Sequence, residues 1–340
     1  MFTQHLEKKM TRIESTRIPT VALPFVLQTC QLLYSVFLLC MLSIADGKPS
    51  RQVVNPHPFQ YSLNNPNLCD NQPSILIWIH TAPAHHRLRT LVRESWANPA
   101  HIRDREVSLV FFLGMPQNSS IQHMLEYESD TYQDIVQESF IDSYRNLTYK
   151  AILGCKWTST YCESAKVILK ADDDMVVDIY LLFRHLDNLQ SHGKVNTNTI
   201  LCDVWYQRKP QRDEGKWKIS MAEYPGDTYP PYCPGLGLVM TRDIIPKLYR
   251  ESFYEPFFWV DDVYFTGLLA KTVNVTFEQL AATVHFGPSK LIHTNTMFEN
   301  EYQWMFYHIQ QQSIFRTVWR MLQSREIRRQ SHQTLVEPYR

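Results

Sequence analysis

Three consecutive carboxylates, Asp172, Asp173 and Asp174, stand inside the stretch AKVILKADDDMVVD, with one apolar run before them and another after. Side by side they repel, and each is costly to bury unless something positive meets it. Hard oxygen ligands crowded at the end of an apolar run suit Mg2+ or Mn2+, which keep coordination positions open for substrate phosphates. A calcium loop of the EF-hand kind does not fit, because the alternating Asp pattern, the central Gly and the Glu at position twelve are missing. The plain alternative is a helix N-cap and a solvated turn ahead of a helix starting near residue 178.

A second acidic site lies in EPFFWVDDVYFTGLLAK, where Asp261 and Asp262 follow an aromatic run and open a helical pattern through Val263, Leu268 and Leu269. Free N–H groups and the dipole at a helix N-terminus favour an ionised carboxylate, and such a group between aromatic walls can act as a general base toward a hydroxyl. Ordinary N-capping accounts for the same residues. Between the two acidic sites, YPGDTYPPYCPGLGLVMTRD combines Tyr and Pro rings with Gly235 and Gly237. That composition suggests a rigid pocket rim where backbone approaches a ligand, or simply a Pro-rich turn. Arg87, Arg89 and Arg93 could pair with phosphate or a nucleotide's polar edges, or lie on an exposed helix face.

These residues need a scaffold. ILIWIH (75–80) is a continuous apolar run bounded by Pro73 and Pro83, the pattern of a strand buried on both faces. A helix is expected over 86–98, a strand over 107–114, a helical piece near 143–162, a strand over 166–171, a helix over 178–191 and a strand over 198–204. Such alternation gives a mostly parallel sheet covered on both sides, with functional loops at the carboxyl ends of the strands. Asp172–Asp174 falls at one of those ends.

The chain has 340 residues, equal acidic and basic counts of 34, and a hydrophobic fraction of 44%, which together exclude a nucleic-acid binder by charge and a wholly disordered chain by composition. Residues 21–45 run without a charge, long enough to cross about 30 Å of hydrocarbon as a helix. Lys8, Lys9, Arg12 and Arg17 precede them, which places the N-terminus in the cytosol and the body across the membrane. A cleaved signal peptide is the rival reading, since SIA before Asp46 can serve as a cleavage site. Sequons at Asn118, Asn146 and Asn274 all follow the apolar segment. Of seven cysteines, Cys69, Cys155, Cys162, Cys202 and Cys233 remain for an oxidising lumen, giving at most two intrachain bridges and at least one thiol left over. The expected organisation is a tail over 1–20, a membrane segment over 21–45, a Pro-rich stem over 46–73 and a luminal domain over 74–340. The basic C-terminal segment with Arg320, Arg325, Arg328 and Arg329 reads as a solvated helix face.

Six segments in collinear order, RTLVRESWAN, VFFLG, YQDIVQESFIDSYRNLTYKAI, CESAKVILKADDDMVVD, YPPYCPGLGLVMTRD and WVDDVYFTGLLA, resemble the Fringe-related β-1,3-glycosyltransferase family of Golgi type II membrane enzymes. The resemblance implies a GT-A α/β fold with a mostly parallel, Rossmann-like sheet. It implies transfer of a hexose or N-acetylhexosamine, galactose first, from a UDP-sugar to the 3-hydroxyl of a glycan acceptor. It places Mn2+ on Asp172 and Asp174, with His293 as the late histidine ligand, although His285 lies close enough to confuse the match. It makes Asp262 the base, with Asp261 where the family usually has Glu, and puts Arg89, Arg93, Asp172, Asp173, Gly235 and Gly237 around the nucleotide and Trp96 in the uridine-site segment. Two rivals are a catalytically inactive chaperone or lectin-like protein on the same fold, and a membrane-anchored metal-dependent phosphohydrolase. The first predicts loss of the metal or base carboxylates, and both are present. The second calls for a His-rich two-metal motif that does not accompany the three aspartates.

Overall fold

The computed structural model describes residues 51–102, 105–193, 197–280, 284–286 and 304–336. The expected membrane segment and His293 lie outside them. Among the described residues no helix is long and apolar enough to cross a membrane. The chain divides into Met1–Gln52 and a compact body, Val53–Arg340.

The body is built on an eight-stranded sheet. Its centre is β2 (Ile75–His80), flanked by β3 (Val107–Met115) and then β4 (Ile135–Ile141) on one side and by β5 (Val167–Asp172) on the other, all parallel. Every residue of β2 is buried. Ile75, Ile77 and Ile79 join one core cluster and Leu76 and Trp78 the other, so the period-two alternation of a strand feeds both faces. Each such side chain contributes about 1.5–3 kcal/mol of apolar burial. One face is covered by α1 (His86–Arg93) and α4 (Ile179–Ser191), the other by α3 (Leu147–Tyr161) and α5 (Ile245–Ser252).

The sheet is less uniformly parallel than the sequence pattern suggests. Beyond β5 comes β8 (Gly237–Thr241), antiparallel, then β7 (Thr199–Cys202), antiparallel to β8, and β9 (Thr276–Gln279), parallel to β7. At the opposite edge β1 (Tyr61–Leu63) runs antiparallel to β4. The expected stem therefore ends earlier than residue 73. The amides of Val54 and Asn55 bond the Phe253 carbonyl at 2.9 and 3.2 Å, β1 extends the sheet, and Cys69 is bridged to Cys162. α2 (Ser119–Tyr132) and β4 lie in a stretch for which the apolar pattern gave no assignment. The leftover thiol is the buried Cys155, with Cys202–Cys233 as the second bridge.

A second, three-stranded sheet is made largely by the C-terminal part of the chain. β6 (Met175–Val177), just after the aspartate run, pairs antiparallel with β11 (Phe306–Ile309), which pairs in turn with β10 (Val284–Phe286). The last helix, α6 (Phe315–Val336), buries Phe315, Val318 and Leu322 in the core. The expectation of a solvated basic face holds for Arg320 and Arg328, which are exposed, but not for Arg325, which pairs with Asp178, completely buried and capping α4 through the Leu181 amide.

Candidate active site

The carboxyl ends of β2 and β5 lie side by side, His80 in register with Asp172. Asp172, Asp173 and Asp174 then diverge. The Asp172 carboxylate accepts from Lys170 Nζ at 2.9 Å, and burial pushes it up to about 6. Asp173 turns inward, buried, and accepts from Thr81 Oγ1 at 2.5 Å and, at 2.8 Å, pairs with Nδ1 of His85, which the bond to Asp173 raises above the usual imidazole range. Asp174 faces the C-terminal sheet, where Oδ2 lies 3.1 Å from His308 Nε2. Its other oxygen, Oδ1, is buried with no hydrogen-bond partner.

An orphaned carboxylate oxygen beside an imidazole nitrogen is a donor set suited to a divalent cation that takes its remaining ligands from water and a diphosphate. Among the described residues no cluster of three or more His, Cys, Asp or Glu side chains forms a closed metal cage, so Asp174 and His308 would leave most of a cation's positions open. Reasoning from sequence missed His308. The resemblance pointed to His293, outside the described residues, while the backbone of His285 lies one strand away in β10, paired with His308. The available signal was FYHI, an apolar strand carrying one polar side chain.

The second acidic site lies on the other side of Gly235 from Lys170. Val263–Leu269 forms a π-helical turn, a geometry frequent at functional sites, that continues into Ala270–Thr272. Asp262 opens it, bonding the Val263 amide at 2.8 Å through Oδ1 and the Thr266 hydroxyl at 2.7 Å through its carbonyl. Burial and the charge of Asp261 push Asp262 up to about 7, and burial raises Asp261 as well. Lys170 lies between the two sites. Its ammonium, itself buried, donates to the Gly235 carbonyl as well as to Asp172. Burial alone would lower its pKa, but Asp172, Asp261 and Asp262 together raise it.

Gly235 stands at the meeting point. A methyl group placed on it would lie 3.7 Å from Asp262 Cβ, 3.7 Å from Lys170 Nζ and 3.9 Å from Asp261 Oδ2. Gly237 has a different reason to be glycine, since any Cβ there would overlap the ring of Phe306 from β11. Its lack of a side chain serves packing of the C-terminal strand rather than approach to a ligand. Tyr144 and Trp217, both exposed, are joined by a 2.5 Å hydrogen bond from Trp217 Nε1 to the Tyr144 hydroxyl. That hydroxyl is raised by burial, with Asp261, Asp262 and Asp172 adding to the effect.

The arginines are placed otherwise than expected. Arg89 is 1% exposed, paired through Nε and Nη2 with Glu128 at 2.9 and 2.6 Å, and bound to Thr81 Oγ1 and the carbonyls of Ala82 and Pro83. Arg93 divides between Asp134 and Glu128. The fully engaged Arg89 guanidinium braces the β2–α1 turn that carries Thr81 and His85, while Arg93, with three of its five N–H donors used, ties α1 to α2 through Glu128 and to Asp134. Trp96 is likewise buried, donating to the Met175 carbonyl at 2.8 Å and so fixing β6.

Residues 87–281 match the galactosyltransferase family. The chain belongs to that family. It is 31% identical over 233 residues to human and mouse beta-1,3-galactosyltransferase 1, covering 67% of this chain and 70% of each relative. It is 32% identical over 240 residues to zebrafish lactosylceramide 1,3-N-acetyl-beta-D-glucosaminyltransferase B (66% of this chain, 62% of the relative). To beta-1,3-galactosyltransferase 5 of Pan paniscus the identity is 29% over 225 residues, covering 66% and 73%. The chain is thus a glycosyltransferase, a hexosyltransferase by family, on a mixed α/β fold with a parallel-rich sheet.

Proposed function

We propose that this protein is an inverting, Mn2+-dependent β-1,3-glycosyltransferase of the GT-A arrangement. It moves a hexose or N-acetylhexosamine, galactose first, from a UDP-sugar to the 3-hydroxyl of a glycan on a glycoprotein or glycolipid. Residues 21–45 anchor it as a single-pass type II protein of the Golgi membrane, with the body in the lumen. Two disulfides in the body support an oxidising compartment. N-glycans belong at Asn118, Asn146 and Asn274.

One observation carries the reading: Lys170 joins a half-buried aspartate with proton affinity near neutrality, Asp262, to the acid run in which Asp174 forms a carboxylate–imidazole pair with His308. Asp262 accepts the proton of the acceptor hydroxyl as its oxygen forms a bond to the donor's anomeric carbon. The bond to UDP breaks on the opposite face, and its electron pair leaves with the diphosphate. Asp174 and His308 are the residues that would hold Mn2+, which when bound would supply positive charge toward the leaving diphosphate. Asp172, paired with Lys170, lines the donor side. Asp173 holds the turn between β5 and β6 through Thr81 and His85. Asp261, one methylene shorter than the usual Glu, faces the acceptor.

The test is Asp262→Asn in the purified protein, assayed for sugar transfer from UDP-galactose across a panel of acceptor glycosides. Transfer should fall by about a thousandfold while Mn2+-dependent UDP binding stays near that of the unaltered protein. Retained turnover rejects the base assignment.

A further inference from the structure

We propose that Lys170 is a positioning residue that links the two acidic sites, its buried ammonium keeping the Asp261–Asp262 pair in the form that can accept a proton. The inference rests on the reading of Asp262 as the base. Lys170 and Asp172 are two residues apart on β5, so their side chains share a face of the strand. An ammonium has three donors. Asp172 takes one at 2.9 Å and the Gly235 carbonyl takes another. Among the described residues no third acceptor binds Nζ, and the acid pair lies just across Gly235, at the distances given above.

The charges around the pair leave Lys170 little competition. From β5 come Lys170 and Asp172; from α3 comes Lys150; from the turn before α3 and from the 224–235 loop come the hydroxyls of Tyr144, Tyr229 and Tyr232. Lys150 is the other cation, and it is already held by Asp142 at 3.1 Å and the Thr81 carbonyl at 2.5 Å. Two adjacent half-buried carboxylates without a counter-ion tend to share one proton, as like charges in one site do. A shared proton blocks the hydroxyl's route to Asp262. Lys170 offsets that tendency, and through Asp172 it joins the acid pair to the strand end that carries the donor side. The amine is therefore built into the base without touching the reacting atoms.

The experiment compares pH profiles of kcat/KM for the full chain and for Lys170→Met, Lys170→Arg and Asp262→Asn, using UDP-galactose and a β-N-acetylglucosaminide acceptor. Lys170→Met should move the acid limb up by roughly one to three pH units, so that activity at pH 7 falls at least about tenfold and recovers toward pH 9. The pH-dependent part of the loss should lie in kcat, while any rise in donor KM from the lost pair with Asp172 should be the same at every pH. Lys170→Arg, which keeps the charge, should retain the original limb. A Lys170→Met limb superimposed on that of the unaltered protein overturns the proposal, whereas turnover in Asp262→Asn overturns the base reading itself. If Lys170→Met folds poorly at pH 8, its melting temperature decides. Without the ammonium the folded-state proton affinities of Asp172 and of the pair both rise, so the comparison is made in an Asp172→Asn background, where stability should still return as the pH falls toward 5, more than with Lys170 present. A deficit of equal size at every pH overturns the proposal.

Discussion

The three acids after β5 and the two that open the π-helix are both runs of adjacent carboxylates, yet their surroundings differ. In the run of three, each side chain has its own partner: Lys170 for Asp172, Thr81 and His85 for Asp173, His308 for Asp174. In the pair, neither acid has a salt bridge among the described residues, and Asp262 rises to about 7. Backbone geometry gives a reason. Leaving an extended strand, successive side chains point in opposing directions, so three acids fan out to three neighbours. At a helix start, successive residues turn by only about 100° and stay crowded. Carboxylates that are individually partnered hold parts in place. A crowded pair with raised proton affinity is where a proton can be exchanged near neutral pH.

This contrast can be broken most sharply by changing one acid from each run. Asp262→Asn should act on kcat, by about a thousandfold, with UDP binding retained. Asp174→Ala or His308→Ala should instead abolish the Mn2+-dependent part of UDP binding, measured by calorimetry with and without the metal. Losses of the same kind from both runs would erase the distinction. In pH, the pair should dominate: kcat/KM rises through about pH 7 as Asp262 loses its proton, and falls tenfold for each unit below. A flat profile between pH 5 and 7 would assign the proton elsewhere.

Smaller effects concern the scaffold. Replacing Cys202 and Cys233 by serine opens a loop with a sequence separation of 31, at a cost of roughly 3–4 kcal/mol in denaturant unfolding. Gly237→Ala forces a methyl into the Phe306 ring and should cost about 1–3 kcal/mol. It should also weaken the metal dependence, because β11 carries His308. Asp173→Asn removes a charged acceptor from Thr81 and His85, for about 1–2 kcal/mol in unfolding, with the metal dependence intact.

Much of the sheet could be read from sequence because its central strands are buried on both faces. ILIWIH and VSLVFFLG are continuous apolar runs that few other structures accommodate, and they form β2 and β3. The acid runs also stood out, since charge next to such strands is unusual. What stayed hidden depends on contacts distant in sequence. Arg89 reads as a phosphate binder until Glu128, on a helix the apolar pattern did not signal, is found against it. Arg325 reads as surface charge until buried Asp178 meets it. His308 shows locally only as the one polar side chain of FYHI, because its partner Asp174 lies 134 positions earlier. Gly237 was noticed for the right property, a missing side chain, but Phe306 rather than a ligand fills the space.

The pairing of β6 with β11 sets an order of events during biosynthesis. The main sheet is complete once β9 has been made, at Gln279, but β6 stays without its partner until Phe306–Ile309 emerges. A nascent chain that has reached Gln279 therefore has the main sheet and the acid pair of the π-helix before it has the histidine beside Asp174. On the proposed assignment of Asp174 and His308, folding of the main sheet alone leaves the donor side without its imidazole, so a chain stopped at Gln279 should form its sheet yet show no metal-dependent nucleotide binding.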